Sequence, residues 1–216
     1  MGCIFYFYNQ KGSKNMTDIS IKEKKDIEII VHDVLLSSGF DTSKKNNSLI
    51  VDIVQLVKGK NFDVTTSEMD QNTTGCLFVN DLDTIMGTKT NRLIVVNKNF
   101  KNDDNDENVI LKKSRFITAH EYGHFILHKK EEISIYAHRD SDHRTEPEEL
   151  QADYFARSIL MPYELFKKYV DTIKILQLYN DIKDAIPLLS NIFKVTKDKA
   201  SKRLDDLYEL EAEYET

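Results

Sequence analysis

Cysteine is scarce in this chain of 216 residues, with Cys3 and Cys76 as its only two. They stand without a C-x-x-C or any paired spacing, so neither a disulfide framework nor a zinc ribbon is implied, and a cytoplasmic location is expected. Long apolar runs are missing as well, and no stretch reaches membrane-spanning length. The opening MGCIFYFY is apolar but short. It lacks a basic flank and has Tyr6 where a myristoylation signal wants Ser or Thr. Residues 1–15 are therefore expected to be a disordered or dispensable tail ahead of Met16. Basic residues are not in excess either. Thirty Lys and Arg face 36 Asp and Glu, a formal charge of −6, which argues against broad nucleic-acid binding.

What the chain does have is 40% hydrophobic content, enough to bury a substantial core. Apolar residues recur at helical spacing over residues 19–36, as Ile27, Ile30, Val31, Val34 and Leu35, and Gly39 supplies a stop. Residues 49–57 repeat the pattern more briefly before Gly59. Residues 62–66, 75–79 and 92–96 are β-branched runs bounded by Asn, Asp and Gly, and they read as strands. Their short connections predict an antiparallel sheet whose edge could take up an extended peptide as an added strand. Residues 102–108 and 129–145 read as polar loops.

The densest chemistry lies at residues 115–128, RFITAHEYGHFILH. In a helix, His120 and His124 fall one turn apart on one face, their Cβ atoms about 5–6 Å apart. Neutral imidazoles at that spacing reach one Zn2+ at about 2.0–2.1 Å, while Glu121, rotated off that face, addresses a water without being a ligand. This is the H-E-x-x-H signature. His128 cannot share the ion with His120, because a rise of about 1.5 Å per residue separates them by about 12 Å along the axis. Phe125 stands where a second such pair would need its acid, so His128 is read as structural or as lining the cleft.

A third ligand is found downstream. The run from Glu146 and Pro147 suits a helix N-terminus, and Glu149 and Asp153 share a face of that helix. Glu149 completes a His2Glu set for one Zn2+ per chain, and Asp153 can accept the outer N–H of a zinc histidine and so fix its tautomer.

The two blocks, R-F-x-x-A-H-E-x-G-H-x-x-L-H and E-x-x-A-D-x-F-A-x-x-I-L-M-P, resemble the ImmA/IrrE family of intracellular zinc metallopeptidases, whose site is similar to that of thermolysin-like gluzincins. The likeness extends more weakly from about Asp18 to about Leu207. Asp153 departs from the family, which often has Asn there, and agrees with the thermolysin-like pattern. The resemblance implies an α+β, zincin-like fold with a small sheet, two metal-bearing helices and a helical C-terminal segment. It also implies a specific protein substrate, often a transcriptional repressor with a helix-turn-helix domain, encoded near mobile elements. Within residues 129–145, Tyr136, His138 and His143 are candidates to donate to the oxyanion of a tetrahedral intermediate.

The expected organisation is a metallopeptidase domain over residues 16–165 and a helical segment over 166–216. Residues 186–204 resemble the short helix-turn-helix at the end of many family members, and an ordinary helical hairpin fits the pattern equally well. From residue 171 onward seven Lys and Arg face ten Asp and Glu, which favours packing or substrate docking over DNA reading. Two functions follow. The first is a zinc endopeptidase with Glu121 as general base. The second is a regulator that keeps the zinc for structure and binds a partner protein or nucleic acid, against which an intact Glu121 speaks.

Overall fold

Helix α1 (Ile21–Ser37) begins at a capping box in which the Ser20 hydroxyl accepts from the Glu23 amide and the Glu23 carboxylate accepts from the Ser20 amide. Gly39, at φ 79°, stops the chain just beyond it in the left-handed region open to glycine. Helix α2 (Ile53–Lys58) is shorter than its apolar pattern, because Asp52 accepts from the Gln55 amide and fixes the start there. The computed structural model of the chain describes residues 18–41, 50–70, 73–79, 92–99, 107–128, 134–139 and 146–214. The expectations for residues 1–15 and for His143 lie outside the described residues.

The three expected strands are present as β1 (Asp63–Ser67), β2 (Thr73–Val79) and β3 (Arg92–Asn97), and β4 (Ser134–Arg139) joins them in the order β1-β3-β2-β4. The sheet is mixed, where short connections had predicted an antiparallel one: β1 runs parallel to β3, while β3–β2 and β2–β4 are antiparallel. The reason lies in burial. Leu93, Ile94, Val95 and Val96 are all buried, so β3 takes an interior position and separates β1 from β2. The β1–β2 connection then crosses the end of β3. Asn97, fully buried, holds it there by donating to the carbonyls of Asp70 and Thr73 and accepting from the Met69 amide. The second correction is β4, which occupies the middle of residues 129–145 where a loop was expected.

Helix α3 (Glu107–His128) lies on β2 and β3, and α4 (Pro147–Leu160) lies on α3. Every residue of α3 from Phe116 to His124 is buried, because this stretch is enclosed from both sides. Two glycines permit that. A Cβ on Gly75 of β2 would stand 2.5 Å from Ile117 Cγ2, 3.0 Å from Glu121 Oε1 and 3.2 Å from the Val95 carbonyl. A Cβ on Gly123 would stand 3.0 Å from Phe155 Cδ1 of α4. The bare backbone at these points lets α3 approach the sheet and α4 together.

After Pro162 the chain continues as α5 (Tyr163–Ile175), a 3-10 turn (Ile182–Ala185), α6 (Ile186–Phe193) and α7 (Lys197–Tyr214). The helical pair expected over residues 186–204 is thus α6 and α7, joined through Lys194 at φ 53°. Leu189, Phe193, Val195, Ala200 and Leu204 of this pair are buried in the common core. Arg115 of α3 donates to the carbonyls of Lys194 and Val51, tying the α6–α7 turn to the start of α2. The whole is α+β, and no helix among the described residues is long and apolar enough to cross a membrane.

Gly75→Ala is expected to force α3 off the sheet and to destabilise the protein by about 1–3 kcal/mol, the usual cost of overpacking. Thermal unfolding of the two proteins checks this, and an unchanged melting temperature would show that the contact yields freely.

Candidate metal centre

One turn of α3 and one of α4 face each other across the Gly123 contact, and this brings the predicted donors together. His120 Nε2 and His124 Nε2 are 3.0 Å apart. Glu149 places one carboxylate oxygen 3.2 Å from His120 Nε2 and the other 3.3 Å from His124 Nε2. One ligand atom from each of the three residues lies within 4.8 Å of the others. The two histidines are buried and Glu149 is half-buried, so the cluster opens on the α4 side.

Asp153 stands where the sequence puts it, with Oδ1 3.0 Å from His120 Nδ1. A carboxylate oxygen can only accept, so it fixes the proton on Nδ1 and leaves Nε2 with its lone pair toward Glu149 and His124. Burial works to discharge the His120 ring, but Asp153 and Glu149 outweigh it and raise the pKa. Burial also acts on His124, where Glu149 opposes it and His120 reinforces it, and the result is a lowered pKa. The Asp153 carboxyl is held far below the usual range despite burial, with His120 and Lys199 on its two sides.

Glu121 is fully buried, and neither of its carboxylate oxygens accepts a hydrogen bond among the described residues. Burial raises its pKa to about 8, with Glu149 adding to the rise and His120 opposing it. A buried carboxyl without a partner is costly in free energy, and such groups concentrate at functional sites. The donor set fits a divalent cation, since two imidazole nitrogens and a carboxylate oxygen converge while a further carboxyl lies beside them unbonded.

The other candidates fall elsewhere. His128 Nε2 is 3.1 Å from the Glu148 carbonyl, to which it donates, so it links the end of α3 to the start of α4. Tyr136 and His138 lie on β4, where Tyr136 pairs in register with Leu77.

Two contributors were not identified from the sequence. Gly75 presses against Glu121 from the sheet, and its signal was available as a glycine inside an apolar strand, a pattern that marks close backbone approach. Lys199 of α7 places Nζ 3.2 Å from Asp153 Oδ2, and nothing local in the sequence announces a contact across 46 residues.

A family model described as IrrE N-terminal-like domain, in peptidase family M78, matches residues 60–205. Comparison with curated proteins finds no match.

Glu149→Ala is expected to lower metal content well below one ion per chain, whereas Glu148→Ala, one position along on the exposed side of α4, should leave it unchanged. Elemental analysis of protein purified under identical conditions distinguishes them. Equal metal content in both variants would remove Glu149 from the site.

Proposed function

We propose that this chain, which belongs to peptidase family M78 through its IrrE N-terminal-like domain, is a zinc-dependent endopeptidase acting on a specific protein in the cytoplasm. The observation that carries the reading is the pairing of a convergent His120, His124 and Glu149 donor set with a buried, unbonded Glu121 carboxyl beside it. A site built only for structure needs no such base and closes with four protein ligands.

In this reading His120, His124 and Glu149 hold one zinc ion. When bound, the ion would supply Lewis acidity and bring the pKa of water down toward about 7. Asp153 keeps the His120 ring in the tautomer that presents Nε2. Glu121 takes the proton of the attacking water and delivers it to the departing amide nitrogen. Its exclusion from solvent keeps that proton from leaking away between the two transfers. Edge strand β4 lies beside β2, on which α3 rests, and in this reading an extended substrate segment pairs with that edge. The resemblance in the two motif blocks supports a repressor or another regulator as substrate.

Glu121→Gln tests the reading, because it keeps shape and one acceptor while removing the proton acceptor. Cleavage of repressor proteins encoded beside the gene, followed by mass spectrometry, should fall by about 10²–10⁴-fold or more in the variant, the range that general acid–base catalysis supplies. Zinc content and substrate binding should persist. A Gln variant that retains full biological activity with zinc bound would overturn the enzyme in favour of a regulator that acts by binding.

A further inference from the structure

We infer that Lys199 is a positioning residue for His120, which makes the C-terminal helix α7 a working part of the metal site; this rests on the zinc reading above. Lys199 Nζ lies 3.2 Å from Asp153 Oδ2, while Asp153 Oδ1 lies 3.0 Å from His120 Nδ1. The two carboxylate oxygens are thereby divided between a lysine and a histidine. A carboxylate held at one oxygen can swing about its side-chain bond, and one held at both cannot. The ring it orients is then fixed in the plane that presents Nε2 to the site.

The lysine is itself held. Its ammonium sits over the Phe116 ring, 3.9 Å from the centroid, and Phe116 lies one turn before His120 on α3, with ring centroids 6.4 Å apart. The same phenyl ring therefore floors both the histidine and the lysine. The register of α7 is set independently of Lys199. Arg203 donates to Glu28 of α1 at 2.6 Å and to the Met161 carbonyl at 3.0 Å, and Asp206 accepts from Arg157 at 2.8 Å and from Lys24 at 3.1 Å. All four of Arg203, Asp206, Arg157 and Lys24 are buried.

This division of labour separates the proposal from simple helix docking. The Arg203 and Asp206 pairs hold α7 whether or not Lys199 is charged. Lys199 lies at the start of the helix, and what this proposal makes depend on it is the fixed plane of Asp153.

The test compares the whole protein with Lys199→Met, Lys199→Arg, Asp153→Asn and the double variant Asp153→Asn/Lys199→Met. Zinc affinity is read by competition with a chromophoric chelator, and the melting temperature is read without metal. Lys199→Met keeps the stem over Phe116 and is expected to weaken zinc by about 10–100-fold, the usual cost of losing an outer partner. Its melting temperature should fall by no more than about 2–4 °C. Lys199→Arg should recover most of the affinity, and the double variant should bind no more weakly than Asp153→Asn alone. Unchanged zinc affinity in Lys199→Met, losses that multiply in the double variant, or a large fall in melting temperature that Lys199→Arg restores without restoring affinity would each reduce Lys199 to a docking contact. Wild-type protein that takes up no zinc would instead overturn the metal reading and this inference with it.

Discussion

The enclosure of Glu121 is the constraint on which the rest of the structure depends. Its carboxyl is fully buried between α3 and the sheet, and among the described residues nothing donates a hydrogen bond to it. Left alone, such a group opposes folding and rises in pKa, here to about 8 through burial. A cation beside it works in the other direction and restores the charged form. The fold gives up some stability at this point and holds a dry carboxyl in one place, as the proposed general base requires.

Enclosing that carboxyl requires close approach on two sides, and backbone geometry provides both. Gly75 admits α3 to the sheet, and Gly123 with Ala152 admits α4 to α3. The second approach also decides the chemistry of the open side, because it sets Glu149 against both histidines and Asp153 against one of them. Larger side chains at either glycine would separate the layers that make the site. The far edge of the assembly is fastened differently, by ion pairs. Buried Lys24 and Arg157 both donate to buried Asp206, and buried Arg203 donates to Glu28, joining α1, α4 and α7, where breaking any one pair would strand a charge in the core.

Much of this was legible in the sequence because it is local. The H-E-x-x-H spacing places two histidines on one helical face, and the Glu149/Asp153 spacing does the same for two acids. The structure brings the two faces together. The strands over residues 63–67, 73–79 and 92–97 were legible from β-branched runs. Their pairing was not, because periodicity carries no information about which strand lies in the middle; burial of β3 on both faces and the Asn97 side chain decide that. Strand β4 was read as loop because only Ile135 and Ala137 alternate in it with Ser134, Tyr136 and His138, a pattern too short to stand out. Lys199 was invisible for a plainer reason: its partner is 46 residues away and the contact exists only once α7 has docked.

The zinc site proposed at His120, His124 and Glu149 is tested most directly by diffraction at the zinc absorption edge from crystals of zinc-loaded protein. A single anomalous peak per chain is expected, within about 2.0–2.2 Å of His120 Nε2, His124 Nε2 and a Glu149 oxygen, with no fourth protein ligand. A peak elsewhere in the chain, or one at this position closed by a fourth side chain, would contradict it.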